Sequence, residues 1–404
     1  MKHTDKTIFS RLKAETKSIS EMFLSKKCYV LLSGVLILGF LLISLILTKD
    51  TAVFPLYIAN CLLYLSAVKL LDKDSKDIMI YILVFGFLFR FSVSVIDILS
   101  YNPLDASGGL GIYKEEYQVF KDISAYLGGD IIKLLGIRAL VFLFEFGLIS
   151  ILFKIYKRRK HFFLHYFWNI PVIYEFYYKP NLIVVFLFFF FFALHLAMKK
   201  KRFLSSLSLG VSFFFNFGVF PFFSFFYKRL KWWLFFTCIL SIAFVFFAGY
   251  FKILFSYMTT FQEVERGFFS ILALLRYILP FPQLVLIIYY SLIISLVIYY
   301  LIKEIHIFDS IYAFLLALIL INPNKEISFI SFLLTFTVIF PNMGIVYFSL
   351  FLFIRVFLAK TFLDKWQLEV LNILAVTVLY VYHTRIFFQW LNALYKRILS
   401  VYKK

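Results

Sequence analysis

The sequence predicts an all-α fold, a polytopic transmembrane helical bundle of about 12–14 spans with a short interfacial helix in its first long external loop. Three observations predict it. Of the 404 residues, 63% are hydrophobic and only 16% charged, with a mean hydropathy of +0.90. That leaves too little polar surface to cover a soluble globule, so lipid is the main solvent. Apolar runs recur along the chain, as at Tyr29–Leu47, Ile78–Ile98 and Trp232–Phe251. Each approaches the roughly 20 residues that cross a hydrocarbon core of about 30 Å as helix, whereas barrel strands would alternate in short segments. Finally, basic residues gather in clusters between the runs, which makes the net charge of +20 a topology signal rather than a nucleic-acid surface. No nucleic-acid partner is expected.

The polar, basic stretch 1–27 is expected to be a cytoplasmic tail leading into a single transmembrane domain, 28–404, with no evident cleavable signal peptide. Basic clusters should all fall on the cytoplasmic side. Tyr29–Leu47 runs outward, and Ala52–Leu71 returns to Lys69, Lys73 and Lys76. Ile78–Leu99 then delivers an external segment, 100–133, and Leu134–Tyr156 returns to Lys157-Arg158-Arg159-Lys160. A short pair follows, Phe162–Tyr178 and Leu182–Met198, turning at Lys179-Pro180-Asn181. The next run, Phe203–Phe226, is interrupted by Asn216, Gly218 and Pro221. Unbroken, it would carry Lys228, Arg229 and Lys231 to the outside, so two short helices in a hairpin or re-entrant element are expected. Trp232–Phe251 leads to a second external segment, 252–283, and Leu284–Ile302 returns. Ile307–Ile321, Ile327–Phe340, Ile345–Ala359 and Leu368–Phe388 complete the count, leaving both termini cytoplasmic in a plasma or inner cell membrane. Cys28, Cys61 and Cys238 lie in or at apolar segments and form neither a disulfide framework nor a zinc spacing. The 57 Phe and 27 Tyr residues suit lipid as well as Leu does and receive no functional assignment.

Chemistry-bearing residues concentrate in few places. In the first external segment, a glycine-rich stretch leads into Ile112–Leu127, where Tyr113, Glu116, Tyr117, Phe120 and Ser124 share a helical face. Asp105, Glu115, Glu116 and Asp122 are its candidate carboxylates for taking a proton from an acceptor hydroxyl, with an ordinary interfacial helix as the alternative. In the second, Arg266 and Arg276 offer forked donors for a lipid phosphate, although for Arg266 the sequence alone favours a structural pairing with a neighbouring Glu. Ionisable residues inside spans cost several kcal/mol unless they face protein or water. Arg90 and Asp97, seven apart, share a face; Glu145 sits in the fourth span; Glu175 lies near the outer end of the fifth, before Lys179. A structural salt bridge from Arg90 to Asp97 or to Glu145 accounts for that group without catalysis.

Three stretches resemble a known family. A span with Leu88-Phe89-Arg90-Phe91 leads to Glu115-Glu116-Tyr117-Gln118-Val119-Phe120-Lys121-Asp122. Ala139–Ile155 follows, carrying Glu145, and then Trp168-Asn169-Ile170-Pro171-Val172-Ile173-Tyr174-Glu175-Phe176. Over residues 85–200 this order resembles the GT-C superfamily of integral-membrane glycosyltransferases, its mannosyltransferase-like branches in particular. The second stretch looks like that family's acidic loop and the last like its Asn-Pro-x-x-Ile-x-Glu element. Here Glu115 and Glu116 stand where an Asp pair is more usual, and Ile170 separates Asn169 from Pro171.

The resemblance implies an inverting transfer of a hexose, mannose being one candidate, from a polyprenyl-phosphate sugar to a glycan or lipid acceptor on the outer face. Glu116 or Glu115 would act as base. Asp105, Asp122, Glu175, Lys179, Arg266 and Arg276 would line the substrates, and membrane lipids surround the whole. The lipid-linked donor is a co-substrate; a divalent cation is left open, with no metal ligands assigned. The competing readings are an O-antigen or polysaccharide polymerase or ligase, and a lipid-linked oligosaccharide flippase or other transporter.

Overall fold

The computed structural model describes residues 26–47, 53–71, 77–99, 130–155, 160–178, 183–215, 222–247, 306–321, 327–340 and 342–351, together with parts of 284–299 and of 370–384. Among them the secondary structure is helical throughout, joined by turns. Among the described residues four helices are long and apolar enough to cross a membrane: α1 (Lys26–Ile46), α2 (Val53–Leu71), α3 (Asp77–Leu99) and α4 (Asp130–Ile155). Helix α4 begins four residues before the expected Leu134, so Asp130–Lys133 belong to it rather than to a loop.

Helix α5 (Lys160–Phe167) is followed by a break, a single α turn α6 (Ile170–Ile173) and a π turn, Tyr174–Tyr178. Then come α7 (Ile183–Met198), α8 (Arg202–Phe215), α9 (Phe223–Leu230) and α10 (Trp232–Phe247). After helical residues between 284 and 299, the remaining elements are α11 (Ile307–Ile321), α12 (Ile327–Thr337), α13 (343–351) and α14 (376–384).

The long helices are apolar on both faces. On α1 one stripe, with Tyr29, Ile37 and Phe40, is buried, while Leu31, Val35, Leu38 and Ile46 are exposed. The exposed apolar surface continues on α3 through Ile80, Val84 and Phe91, on α4 through Leu143 and Phe146, and on α10 through Trp232, Phe235 and Ile242. A soluble protein would bury such a belt; an acyl-chain environment leaves it where it is. Hydroxyls inside the helices return to backbone, as Ser92 does to the Leu88 carbonyl and Ser150 to that of Phe146. These features are those of an integral membrane protein.

The two short helices expected on either side of Asn216–Pro221 are α8 and α9, with 216–221 outside the described residues. Ser206 on α8 donates to the Trp233 carbonyl at 2.6 Å and shares a 2.6 Å bond with Thr237 on α10, while the Phe203 and Trp233 rings meet at 5.2 Å. The starts of α8 and α10 therefore lie side by side. This brings Lys199–Lys201 and Lys228–Lys231 to one end of the molecule. The turns at those clusters run through Lys200 and Lys231, both at positive φ, 60° and 52°. Lys201 N–H bonds to Leu196 and Lys200 N–H to Ala197, the Schellman closure, whose left-handed position favours glycine. A lysine there trades backbone comfort for a positive charge at a helix C-terminus and at a membrane boundary.

Aromatic rings fill the other half of the core. Phe332 on α12 meets Phe186 and Phe190 of α7 at 5.1 and 4.9 Å, edge to face, and Phe222 at 5.5 Å. Phe222 in turn meets Phe314 of α11 at 5.3 Å. Between these two halves lies the broken element 160–178, packed against α2, α3, α4 and α12.

Candidate functional site

The run Phe162–Tyr178, expected as one span, divides at Trp168–Asn169, and Pro171 is the reason. In a continuous helix its ring would collide with the carbonyl four residues earlier, that of Phe167, and it has no N–H to offer that carbonyl. The chain instead leaves α5, passes through extended Asn169 (φ −75°, ψ 123°) and restarts with Pro171 in the first turn of α6. Such a break inside an apolar bundle frees backbone carbonyls, which neighbouring helices must satisfy.

Part of the pairing is local, and the rest comes from neighbouring helices. Trp168 N–H reaches Leu164 O at 2.9 Å, Asn169 N–H reaches Tyr166 O at 3.2 Å, and Ile173 N–H reaches Asn169 O at 3.1 Å. The Phe167 carbonyl, deprived by Pro171, accepts from Arg90 Nη2 of α3 at 2.5 Å. The Trp168 carbonyl accepts from Asn60 Nδ2 of α2 at 2.7 Å. Two polar side chains from two other helices thus replace the missing backbone donors.

Arg90 is wholly buried and forms a two-pronged ion pair with Glu145 of α4, equally buried: Nε to Oε2 at 2.9 Å and Nη2 to Oε1 at 3.1 Å. Nη1 donates to Gly86 O at 3.3 Å, and the guanidinium lies 4.0 Å from the centre of the Phe167 ring. Gly86 makes that arrangement possible, because a Cβ there would overlap the Phe167 ring. Glu145 receives two further donors, the Tyr166 hydroxyl on Oε1 at 3.4 Å and the Tyr177 hydroxyl on Oε2. Each carboxylate oxygen therefore holds two donors, and four guanidinium bonds are made. A pair so fully engaged has little capacity left for a substrate. It joins α3, α4, α5 and the π turn, which is a structural role, and the partner of Arg90 is Glu145; the Asp97 side chain lies outside the described residues.

The other side of the break is neutral. Asn169 Nδ2 donates to Ser349 Oγ of α13 at 3.2 Å, and the Tyr64 hydroxyl of α2 bonds His165 Nδ1 at 2.6 Å. Just before α13, Asn342 caps the helix, its Oδ1 accepting from Ile345 N–H at 3.2 Å. Its Nδ2 reaches the Tyr312 hydroxyl at 2.7 Å and His383 Nε2 at 3.0 Å.

No family model, no curated protein and no solved structure matches this chain.

Of the residues singled out in the sequence, Asp105, Glu115, Glu116, Asp122, Lys179, Arg266 and Arg276 lie outside the described residues. Glu175 stands on the described backbone of the π turn, two residues before Tyr177. Among the described residues no group of three His, Cys, Asp or Glu side chains gathers as a metal site. Asn60, Ser349, Tyr166 and Tyr177 went unremarked in the sequence. Asn60 alone carried a signal, as a carboxamide within an apolar run.

Proposed function

We propose that the chain is an inverting hexosyltransferase of the GT-C type. It moves a sugar from a polyprenyl-phosphate donor to a glycan or lipid acceptor at the outer face of a cell membrane. The observation that carries the reading is the proline-broken element, whose second half holds Glu175 in a π turn. π turns concentrate at functional sites, and this one is anchored two residues on by the Tyr177–Glu145–Arg90 cluster. The order of motifs across 85–200 supports the same reading.

In this scheme about 12–14 helices span the bilayer, both termini are cytoplasmic, and segments 100–133 and 252–283 share the external side. A short interfacial helix within the first carries Glu115 and Glu116. Either carboxylate removes the acceptor hydroxyl's proton as the oxygen attacks the anomeric carbon opposite the leaving phosphate. Arg266 and Arg276 stabilise the charge that develops on the lipid phosphate. Glu175, Asp105, Asp122 and Lys179 line the sugar and acceptor.

Reconstitution with radiolabelled polyprenyl-phosphate hexoses and an acceptor glycolipid tests this, with wild type beside Glu115→Gln and Glu116→Gln. Loss of transfer of about 10²-fold or more is expected from one of the two. Transfer that survives both removes the proposed base. Movement of an intact lipid-linked oligosaccharide between leaflets without transfer establishes a flippase instead, and chain extension of a lipid-linked glycan a polymerase.

A further inference from the structure

Three side-chain atoms at the break find no hydrogen-bond partner among the described residues: Asn60 Oδ1, Asn169 Oδ1 and Trp168 Nε1. Their residues are 2%, 4% and 2% exposed. The two amide orientations follow from their neighbours. Asn60 faces the Trp168 carbonyl, which only accepts, so the nitrogen must point there. Ser349 Oγ gives its one hydrogen to the Val346 carbonyl at 2.7 Å, so it can only accept from Asn169, again from the nitrogen. Both oxygens are thereby committed as acceptors awaiting a donor, and the Trp168 indole N–H awaits an acceptor.

All three belong to two consecutive residues at the break and to the amide bonded to the first of them. Leaving such groups dry is costly, since each forfeits its hydration without return. Among the described residues the charges beside the break, Arg90 and Glu145, are already spent on one another and offer a cation or a phosphate no counter-charge. What complements two acceptors and one donor without charge is a group with two O–H hydrogens and a free lone pair: one water, or two neighbouring hydroxyls.

We infer that the break at Trp168–Asn169 is a binding site for neutral hydroxyl groups, held by Asn60 Oδ1, Asn169 Oδ1 and Trp168 Nε1. Two sources supply that chemistry, an ordered water or a pair of adjacent sugar hydroxyls. Only the second rests on the glycosyltransferase reading.

The indole N–H is its own reporter. Full-length protein labelled with ¹⁵N-tryptophan in lipid nanodiscs gives one indole signal for each of its five Trp residues, and Trp168→Phe assigns the relevant one. That substitution removes the N–H and keeps both carboxamide caps. Expected is a water cross-peak on the Trp168 indole, a lower Tm for Trp168→Phe, and a shift of the signal on titration with methyl α-D-mannopyranoside. The apparent affinity for that probe should weaken about fivefold to tenfold in Trp168→Phe, the loss of one hydrogen bond, followed then by tryptophan fluorescence of the other residues. A water cross-peak with no response to the sugar identifies water as the occupant. A Trp168 indole that shows neither a water cross-peak nor a response to the sugar overturns the inference, whatever the Tm of Trp168→Phe. None of these readouts involves transfer, so a protein that transfers no sugar yet shows an occupied joint loses the proposed activity and keeps the site. A transferring protein with a dry joint does the reverse.

Discussion

On one side of the proline break, charge is closed upon itself; on the other, uncharged groups are left open. Arg90 and Glu145 exhaust nearly every donor and acceptor they own, on each other, on two tyrosines and on backbone. Asn60, Trp168 and Asn169 each keep one atom in hand. The contrast follows from what burial costs. An unpaired charge in an apolar bundle is prohibitive, so an ion pair must be complete before the helices can close around it. A carboxamide oxygen left waiting costs far less, so the neutral side is where a bundle can keep capacity for a ligand.

The largest effect tests the closed side. Glu145→Leu strands a buried guanidinium and should destabilise by about 3–5 kcal/mol, whereas Arg90→Met combined with Glu145→Leu should cost less than either single change. Equilibrium unfolding in bicelles measures both, and additive losses would show the two residues to be uncoupled. Gly86→Ala comes next. Its Cβ invades the Phe167 ring beneath Arg90, at an expected cost of about 1–3 kcal/mol in the same assay. Asn60→Leu leaves the Trp168 carbonyl without its donor and should cost about 1–3 kcal/mol. Methyl α-D-mannopyranoside binding should fall with it, while the Tyr166 and Tyr177 contacts to Glu145 persist.

A smaller coupling probes why Arg90 is there at all. Pro171→Ala restores an N–H that can reach the Phe167 carbonyl, so Arg90→Lys should be milder in that background by about 1 kcal/mol, read from a double-mutant cycle. A coupling of zero would detach the arginine from the break. Far from both regions, Lys200→Gly relaxes a left-handed residue and should raise stability by about 1 kcal/mol. It thereby calibrates the assay against a change that touches neither side.

Helix positions were legible in the residues because lipid imposes length and hydropathy on each span independently. The limits of α2, α3 and α11 lie within a residue or so of the apolar runs. That the run Phe203–Phe226 divides into two short helices was legible too, since Lys228–Lys231 had to share a side with Lys199–Arg202. The break at Trp168–Asn169 was not, although Pro171 was in view. The same proline could have kinked a continuous span, and the choice depended on whether other helices could supply donors to two freed carbonyls.

The sequence by itself therefore determined an all-helical membrane protein, its apolar helices and the short list of intramembrane charges. Those follow from the cost of exposing backbone and charge to hydrocarbon, which each segment meets alone. Tertiary structure decided that Arg90 takes Glu145, 55 positions away, and that Asn60 reaches the Trp168 carbonyl across 108. Helical periodicity carries no information about partners on other helices. Only packing brings an orphaned carbonyl and its donor to within 3 Å.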